Sequence, residues 1–190
     1  MRYILAVTGA SGIIYGVRVC EELSRLGHEA HVIITDGARI TAKYEMSDAV
    51  DRIKKCSSEI YGENDLDAPM ASGSAKFSGM IVAPCSMKTL ASVANGLEDN
   101  LVSRAALVQL KERRTLVLLI RETPLSTVHI INMLRASLAG AIVMPASPAF
   151  YGNPRTLDDL INFQVGKVLD ILGIEHSLYK RWSGAEGSGD

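Results

Sequence analysis

The fold is decided by the stretch Leu116-Val117-Leu118-Leu119-Ile120, which is followed at once by Arg121-Glu122. A strand that is apolar on both faces is typical of a parallel sheet covered by helices on both sides. Such sheets bind their ligands outside the carboxyl ends of the strands. A cation and a carboxylate at that end therefore indicate an anionic substrate and a proton to be moved.

Apolar strand-like runs alternate with helical patterns along most of the chain. The predicted strands cover residues 3–8, 29–35, 79–84, 116–120 and 141–144, and the predicted helices cover 13–26, 37–43, 47–60, 88–94, 100–113, 126–137 and 157–172. This alternation predicts an α/β fold of three layers, a flavodoxin-like or Rossmann-like parallel sheet with helices on both faces. Residues 61–77 interrupt the pattern as a long loop, in which Ser72 and Ser74 either wrap an anion or belong to a solvated connector.

Length and composition restrict the class of protein. The 190 residues, 47% of them hydrophobic, suit one domain over residues 1–182, with the Gly/Ser-rich residues 183–190 as a flexible tail. Lys and Arg total 20 and Asp and Glu 21, which argues against nucleic-acid binding. No apolar run reaches the ~20 residues of a membrane span, and the first apolar run reads as a strand rather than a signal peptide. A cytoplasmic protein is expected.

The cysteines and other possible metal ligands are scattered. Cys20, Cys56 and Cys85 are too few and too far apart for a disulfide framework or a zinc cluster, so reduced thiols are predicted. No group of His, Cys and carboxylate residues has the spacing of metal ligands. The sequence therefore predicts no metal site.

A glycine turn, Thr8-Gly9-Ala10-Ser11-Gly12, joins the first strand to the first helix. Its N–H groups and the helix dipole make such a turn an anion site, although a glycine turn can also serve tight packing alone. The glycines do not have the spacing of a dinucleotide fingerprint, because Tyr15 stands where a third glycine is needed. NAD(P) stays open as an alternative because Asp36 follows the second strand.

A second turn rich in hydroxyl groups, residues 84–89, lies at the same predicted edge of the sheet. Ser86 and Thr89 either cap the next helix or bond a ligand. Two such turns on one edge favour a planar cofactor lying across the carboxyl ends of the strands. Arg104 and Lys111, seven residues apart, share one helix face, which is either solvated or part of an anion pocket that includes Arg121.

Several motifs occur in an order that is specific as a set. They are Thr8-Gly9-Ala10-Ser11-Gly12, Ala71-Ser72-Gly73-Ser74, Pro84-Cys85-Ser86, Arg104-Ala105-Ala106, Leu110-Lys111-Glu112-Arg113-Arg114, Arg121-Glu122-Thr123-Pro124 and Pro148-Ala149-Phe150-Tyr151. Together they resemble the flavin prenyltransferases of the UbiX type over nearly the whole chain. The resemblance implies a flavodoxin-like fold and a cytoplasmic enzyme.

The implied reaction joins a dimethylallyl group from dimethylallyl phosphate to N5 and C6 of reduced FMN, without a metal. Some members of the family take the pyrophosphate instead. The product, prenylated FMN, serves UbiD-type decarboxylases as partners. The family also implies a homo-oligomer, a dodecamer with active sites shared between subunits.

The resemblance carries roles onto matching residues. FMN is expected to bind Gly9, Ala10, Ser11, Thr35, Ser86, Met87, Lys88, Thr89 and Arg121. The prenyl phosphate is expected to bind Ser72, Arg104, Lys111, Arg121, Tyr151 and Lys167, with Trp182 covering the site. The expected catalytic residues are Glu122, which handles protons and stays ionised if it lies close to Arg121, together with Ser11, Glu45 and Tyr151. Lys167 stands where relatives often have Arg, which weakens two-pronged phosphate binding.

Two alternatives remain. An FMN-dependent cysteine decarboxylase shares the fold, but it needs an early catalytic His and an Asn-rich motif where this chain has Pro84-Cys85-Ser86. A non-catalytic flavin carrier has no need for Arg104, Lys111, Arg121 and Glu122 together.

Overall fold

A computed structural model describes residues 1–182, and the predicted flexible tail lies outside this range. Within it, six strands form one parallel sheet in the order β3-β2-β1-β4-β5-β6. The strands are β1 Arg2–Val7, β2 Glu29–Ile34, β3 Glu59–Gly62, β4 Gly79–Cys85, β5 Thr115–Ile120 and β6 Ile142–Pro145. The helices are α1 Ile13–Arg25, α2 Asp36–Glu45, α3 Ala49–Cys56, α4 Met87–Ala94, α5 Leu101–Lys111, α6 Thr127–Leu138 and α7 Leu157–Ile171. The predicted α/β class is confirmed.

The chain divides into two units. The first, Met1–Ala146, contains the whole sheet and α1 to α6, and the second begins at Ser147 and contains α7. In the first unit α1 packs on α3, and α4 packs on α5 and α6. No helix within residues 1–182 has the length and apolar character that crossing a membrane requires.

The centre of the sheet is a topological switch point. β1 and β4 are neighbours, and the chain leaves them toward opposite edges of the sheet, which opens a crevice at their carboxyl ends. Thr8 joins the two strands there, because its hydroxyl donates to Pro84 O at 2.7 Å and accepts the N–H of Ser86 at 2.8 Å. The turns after β1 and β4 are thus held side by side.

The apolar sequence of β5 is explained by its burial on both faces. Leu116, Val117, Leu118 and Leu119 are all fully buried, as a central strand with two covered faces requires. Gly16 lets α1 approach the sheet closely, since a Cβ there would lie 2.9 Å from Val7 Cγ2 and closer still to Ala83 O. This glycine serves helix-to-sheet packing rather than ligand contact.

The edge of the sheet differs from the sequence prediction. The helix predicted over 47–60 ends at Cys56, and Glu59–Gly62 forms β3 beside β2. Four residues carry too little periodicity to reveal a strand, and pairing with β2 stabilises it. The predicted loop over 61–77 accordingly begins inside this strand.

The prediction of three reduced thiols is wrong for two of them. Cys20 on α1 and Cys56 at the end of α3 form a disulfide, with their Cα atoms 5.8 Å apart. The packing of α1 on α3 brings together two residues that are 36 positions apart in sequence. Cys85 is a buried free thiol, and burial raises its pKa to about 12.

Candidate functional site

A carboxylate of the protein occupies the N-terminus of α1. The N–H groups of Gly12 and Ile13 donate to Glu45 Oε2 at 2.8 and 3.0 Å. Gly12, with φ of +98°, has no side chain to cap the helix, and Glu45 from the last turn of α2 replaces that cap. Glu45 therefore accepts from two N–H groups at the end of the turn that was interpreted as an anion site.

Two further site residues, Ser11 and Arg121, interact with the Glu45 carboxylate. Burial raises the pKa of Glu45, but hydrogen bonds from the Ser11 hydroxyl and the two N–H groups, together with the charge of Arg121, hold it below its usual value. Arg121 follows β5, and its N–H donates to Cys85 O at 3.4 Å. Ser11, Glu45 and Arg121 thus meet at the carboxyl edge from three different elements.

Tyr15 belongs to this cluster although sequence reasoning gave it no role. Burial raises the pKa of its hydroxyl, while the charge of Arg121 lowers it. Tyr15 is the third residue of α1, and it is close enough to Arg121 to feel its charge. Its only signal in the sequence was that it stands where a dinucleotide fingerprint needs a glycine.

In the second turn, residues 84–89, backbone N–H groups at the start of α4 are left without an acceptor inside the helix. Ser86 caps α4, accepting the N–H of Thr89 at 3.2 Å, and its hydroxyl lies 3.0 Å from the Thr89 hydroxyl. Met87 and Lys88 are the first two residues of the helix, so their N–H groups have no acceptor within it. Thr35 caps α2 in the same way, accepting the N–H of Ala38 at 3.1 Å. These hydroxyls cap helices, and the free N–H groups of α4 are suited to an anion.

Arg104 and Lys111 both face the loop that contains Ser72. Arg104 Nε donates to Ala71 O at 3.0 Å, and its guanidinium also pairs with Glu98. A Cβ on Gly73 would lie 2.7 Å from Lys111 Nζ. The loop itself is closed by a 2.9 Å hydrogen bond between the hydroxyls of Ser72 and Ser74.

Arg114, to which the sequence analysis gave no role, binds the backbone of the loop that contains Ser72. Its guanidinium donates to Gly73 O at 2.8 Å and to Ala75 O at 2.7 Å. Lys111 pairs with Glu112 at 2.6 Å. The basic residues at the end of α5 gave no indication that Arg114 binds backbone carbonyls about forty residues earlier in the chain.

Lys111 and Arg121 do not meet within one chain, so a pocket that includes both of them does not form there. Lys111 lies four residues before Thr115, the first residue of β5, whereas Arg121 directly follows the last. Six strand residues at about 3.3 Å each separate the two ends by roughly 20 Å. Lys111 and Arg121 therefore lie at opposite ends of the same strand.

Glu122 is exposed at the carboxyl edge. Its carboxylate accepts the N–H of Thr123 at 3.0 Å. Among residues 1–182 it forms no ion pair with Arg121. The carboxylate is free of the cation beside it in sequence.

The two aromatic residues predicted for the site, Tyr151 and Trp182, are in contact in the second unit. The Tyr151 ring lies edge-on to Trp182 at 5.8 Å and to Phe163 at 6.1 Å. Tyr151 and Trp182 border a recess of about 390 Å³. Lys167 lies on α7 with its Nζ 3.4 Å from Asp170.

The chain is similar to known flavoproteins over nearly its whole length. Residues 1–168 match the model of the family described as Flavoprotein. The flavin prenyltransferase UbiX of Methanocaldococcus jannaschii is 48% identical over 182 residues, 96% of this chain and 98% of that protein. The crystal structure of AnUbiX (PadA1) in complex with FMN and dimethylallyl pyrophosphate has a TM-score of 0.94 and 44% identity, over 97% of this chain and 98% of that one.

Two further solved structures differ in what they show: one is similar in sequence and fold, and the other in fold alone. A dodecameric FMN-dependent UbiX-like decarboxylase from Escherichia coli O157:H7 has a TM-score of 0.93 and 42% identity, over 97% of this chain and 100% of that one. The peptidyl-cysteine decarboxylase EpiD is only 16% identical with a TM-score of 0.63, so it shares the fold alone. High identity over nearly the full length shows that the chain belongs to the UbiX flavin prenyltransferases, within the flavoprotein family.

Proposed function

We propose that this protein transfers a dimethylallyl group from dimethylallyl phosphate to reduced FMN. The observation that carries the proposal is the meeting of Ser11, Glu45 and Arg121 at the switch point of the sheet. A family relative of nearly the same length holds FMN and a prenyl pyrophosphate. The cluster supplies a cation, a carboxylate and a hydroxyl where the fold binds its ligands.

The carboxyl edge fits a flavin nucleotide. Gly9 and Ala10 offer backbone without bulky side chains, so a flat ring can approach the turn closely. The free N–H groups of Met87 and Lys88 and the Thr35 hydroxyl suit the phosphate, because Glu45 already fills the N-terminus of α1. When bound, reduced FMN supplies N5 and C6 as the atoms that form bonds to the five-carbon fragment.

Protein cations bind the departing phosphate in this proposal. Ser72, Arg104 and Lys111 come from one subunit, and Arg121 and Glu122 come from its neighbour, since one chain holds Lys111 and Arg121 at opposite ends of β5. Cations aimed at the phosphate stabilise the negative charge that develops as it leaves. Among residues 1–182, no group of three or more His, Cys, Asp or Glu side chains is placed to hold a metal ion.

The aromatic and acidic side chains have separate tasks. Tyr151 and Trp182 border an apolar recess suited to the dimethylallyl group, and Lys167 adds a positive charge for the phosphate. Glu122, which has no cationic partner within residues 1–182, accepts the proton released at the flavin carbon or passes one to the phosphate. Ser11 and Glu45 orient the flavin through their shared hydrogen bond.

Assembly completes the site. Val128, Ile131, Leu134 and Leu138 form an exposed apolar stripe along α6. A stripe of this kind marks a protein interface. We assign it to contacts between subunits of a homo-oligomer, a dodecamer as in the Escherichia coli relative, in the cytoplasm, with prenylated FMN passed to a UbiD-type decarboxylase.

Anaerobic incubation tests the activity. Purified protein is mixed with reduced FMN and dimethylallyl phosphate in the presence of EDTA, and the flavin is analysed by mass spectrometry. The expected product is FMN heavier by one C5H8 unit. An unchanged FMN mass under these conditions contradicts the proposal, and a product that forms only after added Mg²⁺ contradicts its metal-independent part.

Mixed oligomers test the shared site. Lys111→Ala and Glu122→Gln are each expected to lower activity strongly. Co-expression of the two variants places an intact pair at some interfaces and is expected to restore part of the activity. No recovery in oligomers shown to contain both variants contradicts the assignment of the two residues to different subunits.

A further inference from the structure

Asp170 on α7 binds four donors. Its Oδ1 accepts from His176 Nε2 at 3.1 Å and from an Arg181 guanidinium nitrogen at 2.7 Å. Its Oδ2 accepts from the Tyr179 hydroxyl and from Lys167 Nζ at 3.4 Å. The side chain is only 17% exposed, so this is a nearly buried carboxylate with its bonding capacity filled.

Three of these donors belong to one segment, residues 176–182, which we call the C-terminal strap. Burial raises the pKa of Asp170, but hydrogen bonds from Arg181, Tyr179 and His176 lower it far below the usual range. The carboxylate is therefore charged in the folded protein. Removing it would leave the buried His176 donor, the half-buried Tyr179 donor and the exposed Arg181 without this partner, which is a larger loss than that of a single surface ion pair.

One face of α7 is shaped for the strap. Phe163, Gly166 and Asp170 have the spacing of residues on the same side of a helix. A Cβ on Gly166 would lie 2.6 Å from two carbons of the Tyr179 ring and 2.7 Å from His176 Cε1. The Tyr179 ring also packs on Phe163 at 4.9 Å. Only glycine at position 166 allows the strap to lie this close.

The strap ends at the prenyl site. Trp182 follows Arg181 directly, so the bond between Arg181 and Asp170 fixes where the indole ring meets Tyr151. Lys167 is bonded to the same carboxylate from one helical turn earlier. A lysine has three donors, so one bond to Asp170 leaves two for a ligand.

We propose that Asp170 is a positioning residue for the prenyl phosphate, because it fixes the C-terminal strap so that Trp182 faces Tyr151 and it directs Lys167. The inference rests on the proposed prenyl transfer for its effect on substrate, but its effect on the strap is independent of that activity. Gly166 is the second requirement, since it provides the room that the strap occupies.

Trp182 reports on the strap directly, because it is the only tryptophan among the 190 residues. In Asp170→Asn, its emission is expected to shift to longer wavelength and acrylamide is expected to quench it more strongly. Gly166→Ala displaces the strap by steric contact without changing any charge, and the same spectral change is expected. Glu175→Gln removes a nearby exposed carboxylate and serves as the matched control with unchanged emission.

Steady-state kinetics then separate positioning from a purely structural role. For Asp170→Asn we expect KM for dimethylallyl phosphate to rise about tenfold, the loss of roughly one charge-assisted contact, with kcat and FMN affinity little changed. Unchanged emission, or a spectral change with unchanged KM, overturns the proposal.

Circular dichroism checks folding, and if Asp170→Asn fails to fold, Gly166→Ala must show both effects. If the wild-type protein shows no prenyl transfer, the proposed function fails, while the emission spectra still decide whether Asp170 holds the strap.

Discussion

The N–H of Gly12 donates to Glu45 Oε2 at 2.8 Å, so a residue from the end of α2 caps the helix that follows β1. A carboxylate at a helix N-terminus interacts favourably with the helix dipole. The protein therefore uses its own anion where nucleotide-binding folds often place a phosphate. In the proposed function, the phosphate of a bound flavin binds instead at the start of α4.

Glu45→Gln is expected to lower the free energy of unfolding at pH 7 by about 0.5–1 kcal/mol, because the helix N-terminus loses its charge. The folded state holds the pKa of Glu45 below its usual 4.5, so the contribution is complete above that pH and is lost as pH falls through the folded value. Urea unfolding of both proteins between pH 7 and about pH 3 should show the difference shrinking. A difference that grows toward acid pH contradicts the assignment.

Gly16→Ala is expected to reduce stability by about 1–3 kcal/mol, since the new methyl group enters the packed contact between α1 and the sheet. Gly152→Ala is the matched control, because a Cβ there meets nothing within 4 Å. Chemical denaturation measures both. Equal midpoints for the two variants would show that α1 can move away from the sheet without loss.

Glu122→Gln is expected to keep FMN binding and to slow turnover by about 10²-fold or more, as for the loss of a general base. The fold should be unaffected, since the carboxylate bonds only the N–H of Thr123 within residues 1–182. Fluorescence titration measures FMN binding, and single-turnover mass spectrometry measures the rate. Full activity in this variant removes Glu122 from the mechanism.

The disulfide between Cys20 and Cys56 is expected to add about 4 kcal/mol to stability, the chain-entropy value for a closed loop of this size. Thermal unfolding with and without a reductant measures the effect, with Cys20→Ala as the variant that cannot form the bond. Thiol titration gives an independent count. Denatured, unreduced protein should show one thiol, Cys85, and a count of three would contradict the bond.

Ile131→Asp and Leu134→Asp are expected to break the assembly into smaller species, because each places a charge in the exposed apolar stripe of α6. Light scattering coupled to gel filtration measures the mass. Lys55→Asp, an exposed change on α3, should leave the assembly intact. Activity should fall together with the mass if neighbouring subunits share the site.

Local patterns were sufficient for the order and type of most elements. The apolar run before Arg121 predicted a strand buried on both faces, and the turns at Gly9 and Ser86 were placed correctly at one edge of the sheet. Side-chain periodicity and turn residues are encoded within a few neighbouring positions. For that reason, they can be read without knowing the rest of the fold.

The sequence by itself determined the class of fold and the position of two turns rich in small and hydroxyl residues at one edge of the sheet. Only the tertiary structure decided that β3 exists, that Cys20 bonds Cys56, that Glu45 fills the first helix N-terminus, and that Lys111 and Arg121 lie at opposite ends of β5. Each of these depends on which elements pack together. Contacts between residues dozens of positions apart leave no periodic trace in a single chain.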